Sequence, residues 1–471
     1  MAADSTEPDG IAPARRPYIL AACVLASAMA FIDGSALTVA LPQLRASLGA
    51  ELSAVQWVLN GYALALASLT LIGGALADSY GKARMLALGC VLFAASSVAC
   101  ALAPDVGWLI AARVVQGTAA ALLTPASLAL LGATYPRAQR NAAVGIWAAA
   151  SAITTAAGPV LGGWLVETQG WEAVFWINPP LAAGALTLLL LCAPRDRREP
   201  RPFDLPGAAI LAAALAAIAW ALGAIGPRQG GGNVEVALLV TVAAAGLAGL
   251  GLFAWWERRT PNAMTPPRLA ANRAFVGLNA ATLAIYTGLS LMFFLLSFEL
   301  IDRRGVPATT AGLVFLPFSL ALGVLSRLFG KVADKFGSRR LLIVGPLGAA
   351  AGYVWMALAQ DASLVAGVIA PVGLIGISFA ILITPLTASV LSSVVRADEG
   401  LASGTNNAAA RIAQLAGVAL AAGLAAYPGG FMAGLFAAAL CSLIGAGIMA
   451  ASLRDLPAEA GQPGLSRRPH E

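Results

Sequence analysis

Charge is scarce in this sequence. Only 11% of its 471 residues are Asp, Glu, Lys or Arg, while 59% are hydrophobic. Soluble domains carry about 25% charged residues, so a soluble globular protein with a hydrated surface is excluded. Histidine is rarer still. The only one, His470, sits in the terminal stretch GQPGLSRRPHE, which rules out a His-based metal centre or a Ser-His-Asp triad inside a packed region. The five cysteines (Cys23, Cys90, Cys100, Cys192 and Cys441) are scattered without CxxC spacing, so no disulfide framework is expected and each is read as packing. No GxxxxGK[ST] occurs, and no polar segment is long enough for a nucleotide-hydrolysing domain, so ATP could drive the protein only through a separate subunit. There is no soluble basic domain either, and the net charge of +6 does not point to nucleic acid.

What is abundant is long apolar sequence. Runs near or above the roughly 20 residues that cross a bilayer as helix lie at 18–41, 55–77, 85–103, 107–131, 142–164, 173–193, 205–225, 234–255, 274–300, 308–329, 341–359, 363–391, 403–426 and 430–452. Backbone polar groups cannot be left bare in lipid, and the alternating period of barrel strands is absent, so the expected fold is all-α, a polytopic helical bundle. The first run follows a polar tail with Arg15 and Arg16 and exceeds a signal-peptide core, so it is read as a retained helix. Fourteen crossings put both termini on one side. Of the 29 Lys and Arg, Arg45, Arg228, Arg303 and Arg304 fall in loops of the other side and Arg113 and Arg411 inside helices. The remainder mark the side of the termini as cytoplasmic.

One charged stretch occurs twice. GALADSYGKARML at 74–86 and GKVADKFGSRRLL at 330–342 superimpose with an offset of 256, aligning Gly74 with Gly330, Asp78 with Asp334, Gly81 with Gly337 and Arg84 with Arg340. Each joins the second and third helices of a six-helix set, as an internal duplication would. The chain therefore divides into a tail (1–16), an N-terminal six-helix bundle (17–194), a basic loop with two linker helices (195–271), a C-terminal six-helix bundle (272–453) and a second tail (454–471).

These residues resemble the major facilitator superfamily, specifically its fourteen-helix drug:proton antiporter branch, over nearly the whole chain. The family pattern G-x-x-x-D-[RK]-x-G-[RK]-[RK] is met at Gly74, Asp78, Gly81 and Lys82, while Ser79 and Ala83 depart and Arg84 stands in as the second base. DGSALTVALP keeps Asp33 and Pro42 of the helix 1 signature, with Thr38 at its usual Asn. QWVLNGYALALA resembles helix 2, and ARVVQG the helix 4 motif with its intramembrane Arg113. GPVLGG, holding Gly158, Pro159, Gly162 and Gly163, resembles the antiporter motif of helix 5, although Thr154 replaces an upstream glycine. WEAVFWINPP resembles the approach to helix 6, with Glu172 where a base is usual. The resemblance implies the major facilitator fold, with two six-helix pseudo-repeats plus two inserted linker helices, and export.

The residues carry their own physical readings. In the charged turns the glycines permit tight reversal, and Asp78 and Asp334 are placed to accept bonds from a helix N-terminus or an arginine. Gly74, Asp78, Gly81, Lys82, Arg84, Asp334, Gly337 and Arg340 are thus candidate gating residues; the alternative is a solvated topogenic loop. Asp33 lies deep in helix 1, where insertion of an aspartate costs roughly 2.5 to 3.5 kcal/mol. Arg113 lies at comparable depth. Burial favours the neutral carboxyl and the guanidinium favours the carboxylate, so a rearrangement can tip the balance and release a proton. Asp33 with Arg113 is the candidate proton-coupling pair; a structural ion pair is the alternative. Pro159 and the small residues of GPVLGG predict a kinked, close interface. Arg411 reads as gating or structural, and Glu299 as interfacial.

A substrate cavity is expected between the halves near mid-membrane, with Phe31, Gln56, Asn60, Tyr62, Asn279, Tyr286 and Glu299 as candidate lining. With about 100 mV and one pH unit, a proton carries about 2.3 plus 1.4 kcal/mol, enough to move a neutral compound about 500-fold uphill, and a monocation only about tenfold. The expected function is proton-coupled efflux of lipophilic, neutral or monocationic compounds by alternating access. The alternative is a transporter of the same fold dedicated to one endogenous metabolite or self-made antibiotic. No enzymatic activity, cofactor, metal, nucleic acid or required protein partner is expected; the partners are a small molecule and the bilayer. The Ala-rich, Lys-poor composition points to a high-GC bacterium and its cytoplasmic membrane.

Overall fold

The computed structural model describes residues 13–193, 204–223, 235–261, 263, 267–395, 399–425 and 427–453. Most of the expected cytoplasmic tails and of the basic loop, with Arg228 and His470, lies outside these. Among the described residues there is no strand, and fourteen helices are 15 residues or longer. They are α1 (Arg16–Leu48), α2 (Leu52–Tyr80), α3 (Lys82–Ala101), α4 (Val106–Thr134), α5 (Arg137–Gln169), α6 (Asn178–Cys192), α7 (Leu205–Gly223), α8 (Val236–Glu257), α9 (Arg273–Phe298), α10 (Leu316–Phe336), α11 (Ser338–Leu358), α12 (Ala370–Ser392), α13 (Glu399–Ala425) and α14 (Gly430–Ser452). Thirteen of the described helical stretches are long and apolar enough to cross a membrane. At 33 residues, α5 extends about 50 Å and has the length to cross too. The chain is a multi-pass membrane protein.

Local chemistry sets the helix ends. Asp105 and Asn272 cap α4 and α9 by accepting the backbone N–H of Trp108 (2.8 Å) and Phe275 (3.1 Å). Prolines open α6, α10 and α12 in their first turns, where the missing N–H has no partner to lose. The two copies of the charged stretch make the same turn. Gly81 and Gly337 take φ of 110° and 82°, a region that glycine enters without strain, and donate their N–H groups to Ala77 and Ala333.

Packing repeats as the turns do. In the first half α1 lies against α5 and α6, and α4 against α2 and α3. In the second, α9 lies against α13 and α14, and α12 against α10 and α11, each helix eight places further on. The linker helices α7 and α8 pair with one another, held by Asp204, which accepts from the Trp256 indole N–H (2.9 Å) and the Gly207 backbone (2.9 Å). Leu211, Leu215 and Ala219 of α7 then bury against Trp57 and Leu64 of α2 and Leu415 and Ala419 of α13. The linker hairpin therefore straps the seam where those two halves meet.

Candidate functional site

Asp33 is fully buried within the N-terminal bundle, bonded by side chains of α4 and α6 that α2 and α3 hold in turn. Arg113 of α4 donates from Nη1 to Asp33 Oδ2 at 2.5 Å, and from Nε to the Val58 carbonyl of α2 at 3.1 Å. Gln116, one turn further along α4, donates to Asp33 Oδ1 at 3.2 Å while its own oxygen accepts from Arg113 Nη1 at 2.6 Å. Asn178, at the start of α6, donates to Asp33 Oδ1 at 3.4 Å and to Ser97 Oγ of α3 at 2.9 Å. The guanidinium carbon lies 4.2 Å from the centroid of the Tyr62 ring and 5.7 Å from that of Phe175. A buried charge is tolerated only when paired and hydrogen-bonded, and this one is both. Such a pair can hold the carboxylate, or let it take up a proton when the arginine is drawn away.

A cavity of about 550 Å³ lies between the halves, within the range of small-molecule sites. From α1 it is lined by Phe31, Gly34, Ser35 and Thr38, so the cavity is separated from Asp33 by the α1 backbone itself. Tyr286 and Phe293 of α9, Phe318 of α10 and Phe379 of α12 supply an aromatic wall; Tyr286 and Phe379 meet edge to face at 5.8 Å. From α13 come Asn406, Asn407, Arg411 and Gln414, a polar stripe that carries the cavity's amides and its guanidinium.

On one side of the cavity the halves are sealed. Ser151 and Thr155 of α5 line the cavity, and Pro159, Gly163 and Glu167 continue the same helical face at intervals of four residues. A methyl group at Gly163 would strike the Ala308 carbonyl, and one at Gly312 the Pro159 carbonyl, so the two backbones touch only because these residues are glycine. Glu167 accepts the Thr309 N–H at 3.0 Å, and Arg45 at the end of α1 pairs with Asp302 at 3.5 Å. Gly158 and Gly162 face Ser35 and Ala36, drawing α5 equally close to α1. The GPVLGG motif thus packs on both sides, within its own half and against the other.

The candidate residues separate on this map. Phe31 and Tyr286 line the cavity; Gln56, Asn60, Tyr62, Asn279 and Glu299 are outside its wall. Gln56 and Asn60 are buried with no hydrogen-bond partner for either amide. Tyr62 covers Arg113, and Asn279 accepts from Asn406 at 3.2 Å. Glu299 closes α9 and pairs with Arg303 and Arg304, each at 3.0 Å. Gln56 and Asn60 share a helix face by their spacing of four, and Asn279 shares one with Tyr286 by a spacing of seven, but spacing does not say which neighbour that face meets. Arg411, read from the sequence as gating or structural, stands on the cavity wall instead. Its signal was the stripe 406, 407, 410, 411, 414 on α13. Gln116, Asn178 and Ser97 were not anticipated, since they come together only in the tertiary structure. In the charged turns Gly74 lies beside Pro125, Lys82 is half-buried, and Arg84 and Arg340 are exposed. The side chains of Asp78 and Asp334 lie outside the described ones.

A family model described as Major Facilitator Superfamily matches residues 23–298 and again 278–470. The chain is 34% identical to the "Multidrug resistance protein Stp" of Mycobacterium tuberculosis, over 83% of this chain and 72% of that one. It is 33% identical to the "Tetracenomycin C resistance and export protein" of Streptomyces glaucescens, over 88% of this chain and 78% of that one. A crystal structure of peptide transporter POT in complex with sulfate has the same fold, with a TM-score of 0.67 at 16% identity, covering 93% of this chain and 94% of that one.

Proposed function

The chain belongs to the major facilitator superfamily, and on that premise we propose that it is a proton-coupled exporter of lipophilic small molecules working by alternating access. The observation that carries this reading is a carboxylate–guanidinium pair buried behind α1, the helix that also lines a cavity closed at one end by glycine contacts between the halves. The names of its relatives, multidrug resistance and the export of one antibiotic, support drug efflux. With the basic face cytoplasmic in a bacterial membrane, the seal lies outward and the cavity on its cytoplasmic side. A compound then binds from the cytoplasm. A proton reaching Asp33 weakens its hold on Arg113, α1 and α5 shift at their glycine contacts, and the seal opens while the opposite face closes. The gradient supplies the energy without a cofactor or bond chemistry.

Proteoliposomes with an imposed pH gradient test this. Wild type should move several lipophilic compounds uphill only while protons flow the other way. Asp33→Asn should bind them still but bring them only to equal concentrations. Full coupling in that variant would place the proton site elsewhere. Movement of a single compound from a broad panel would favour the dedicated transporter, a reading that the antibiotic-specific relative also supports.

A further inference from the structure

Among the described residues, Arg411 is the one charged side chain that lines the cavity. Of its five N–H donors, one reaches the Gln414 amide oxygen, at 3.3 Å. The titratable groups near enough to act on it are Tyr62 and Tyr286, both phenols, and no described carboxylate pairs with it. The sequence adds an independent constraint, because Asp33 is the only acidic residue deep within a helix and it is fully engaged with Arg113. The same cavity is lined by further groups that can donate to an oxygen: Asn407, Ser290 and Ser319. The rings of Phe318 and Phe379 line it too, apolar surface that lowers the local dielectric and strengthens a charge pair formed beside it.

Resting on the export reading, we propose that the Arg411 end of the cavity is an anion subsite, one that receives the carboxylate or acidic phenol oxygen of an aromatic, lipophilic substrate. The guanidinium fork takes two oxygens at once, Gln414 holds it in place, and the aromatic wall receives the rest of the molecule. Transport gains from this choice. A monoanion leaving while a proton enters moves two charges in the direction that the membrane voltage favours, against one for a neutral compound and none for a monocation.

The test uses the purified full chain and three matched probes, 1-pyrenebutyrate, 1-pyrenebutyramide and 1-pyrenebutylamine. Binding is read from tryptophan quenching, for which Trp147 is suitably placed against Phe31 of the cavity wall, with ring centroids 6.3 Å apart. Wild type should bind the carboxylate about tenfold or more tighter than the amide, the scale of a charge-assisted hydrogen bond. Arg411→Gln should bring the carboxylate down to the level of the amide and leave the amide unchanged, while Arg411→Lys should keep part of the preference. A preference undiminished in Arg411→Gln, or tightest binding of the amine by wild type, overturns the subsite and leaves the export reading standing. Should Arg411→Gln lose the amide as well, the lysine variant decides: a retained carboxylate preference supports the subsite and its absence overturns it. Failure of all three probes to bind wild type would sink both readings.

Discussion

Two arginines lie inside membrane helices here, and their surroundings are opposite. Arg113 is fully buried, bound to a carboxylate, an amide and a carbonyl, and covered by two rings. Arg411 stands on a cavity wall with one amide. The same guanidinium is thus fixed in one half and left available in the other. The N-terminal half holds a charge pair that only a conformational change can separate, and the C-terminal half offers a charge that a ligand can reach. This division assigns coupling and recognition to different halves, with α1 between them presenting Asp33 to one side and Phe31 to the other.

The largest expected effect breaks the fixed pair. Arg113→Gln strands Asp33 in an apolar bundle and should lower stability by about 3–5 kcal/mol. Arg411→Gln, which removes no buried partner, should change stability by less than about 0.5 kcal/mol. Melting of both variants in detergent compares them directly. Adding Asp33→Asn to Arg113→Gln should restore most of the loss, since the double variant buries no charge. Equal losses for the two single variants would mean that Arg411 is as structural as Arg113, and the comparison would fail.

Much of this was legible beforehand. Apolar runs of bilayer length gave the number and order of helices, and the stretch that occurs twice in the sequence makes the same glycine turn in both places. Asp33 and Arg113 stood out because charge at that depth needs a reason. The rest of the site was hidden by the same composition. Helices rich in Ala, Gly and Leu on every side carry no polar face to mark a cavity, and in lipid no hydration pattern imposes one. Gln56 and Asn60 show the consequence: their spacing of four put them on one face, but that face turned out to be buried and unpaired instead of open. Gln116 and Asn178 were invisible for the complementary reason, being ordinary amides until α4 and α6 bring them to the same carboxylate.

A change of intermediate size would make the open arginine resemble the fixed one. Gln414 lies three residues from Arg411 and already accepts from it, so Gln414→Glu places a carboxylate within reach on the same helix face. The new pair should occupy the guanidinium and cut 1-pyrenebutyrate affinity about tenfold, while 1-pyrenebutyramide binds as before. An unchanged carboxylate affinity would show that Arg411 is not what the probe reads.

The smallest effect concerns how tightly the fixed pair is defined. Asn178 makes the longest of the three side-chain contacts to Asp33, at 3.4 Å, and its own oxygen has no partner. Asn178→Leu removes the weak bond to Asp33, the 2.9 Å bond to Ser97 and one unsatisfied acceptor together, losses and a gain of opposite sign, so stability should move by no more than about 1 kcal/mol and uphill transport should persist. Gln116→Leu, by contrast, takes away a donor to Asp33 and an acceptor for Arg113 in one step, and should slow proton-driven transport severalfold. Initial rates in proteoliposomes at several pH values separate the two. If Asn178→Leu proved as damaging as Gln116→Leu, the carboxylate would depend on its whole ring of donors and not mainly on Arg113, and the contrast between a paired arginine and an open one would have to be redrawn around Asp33 instead.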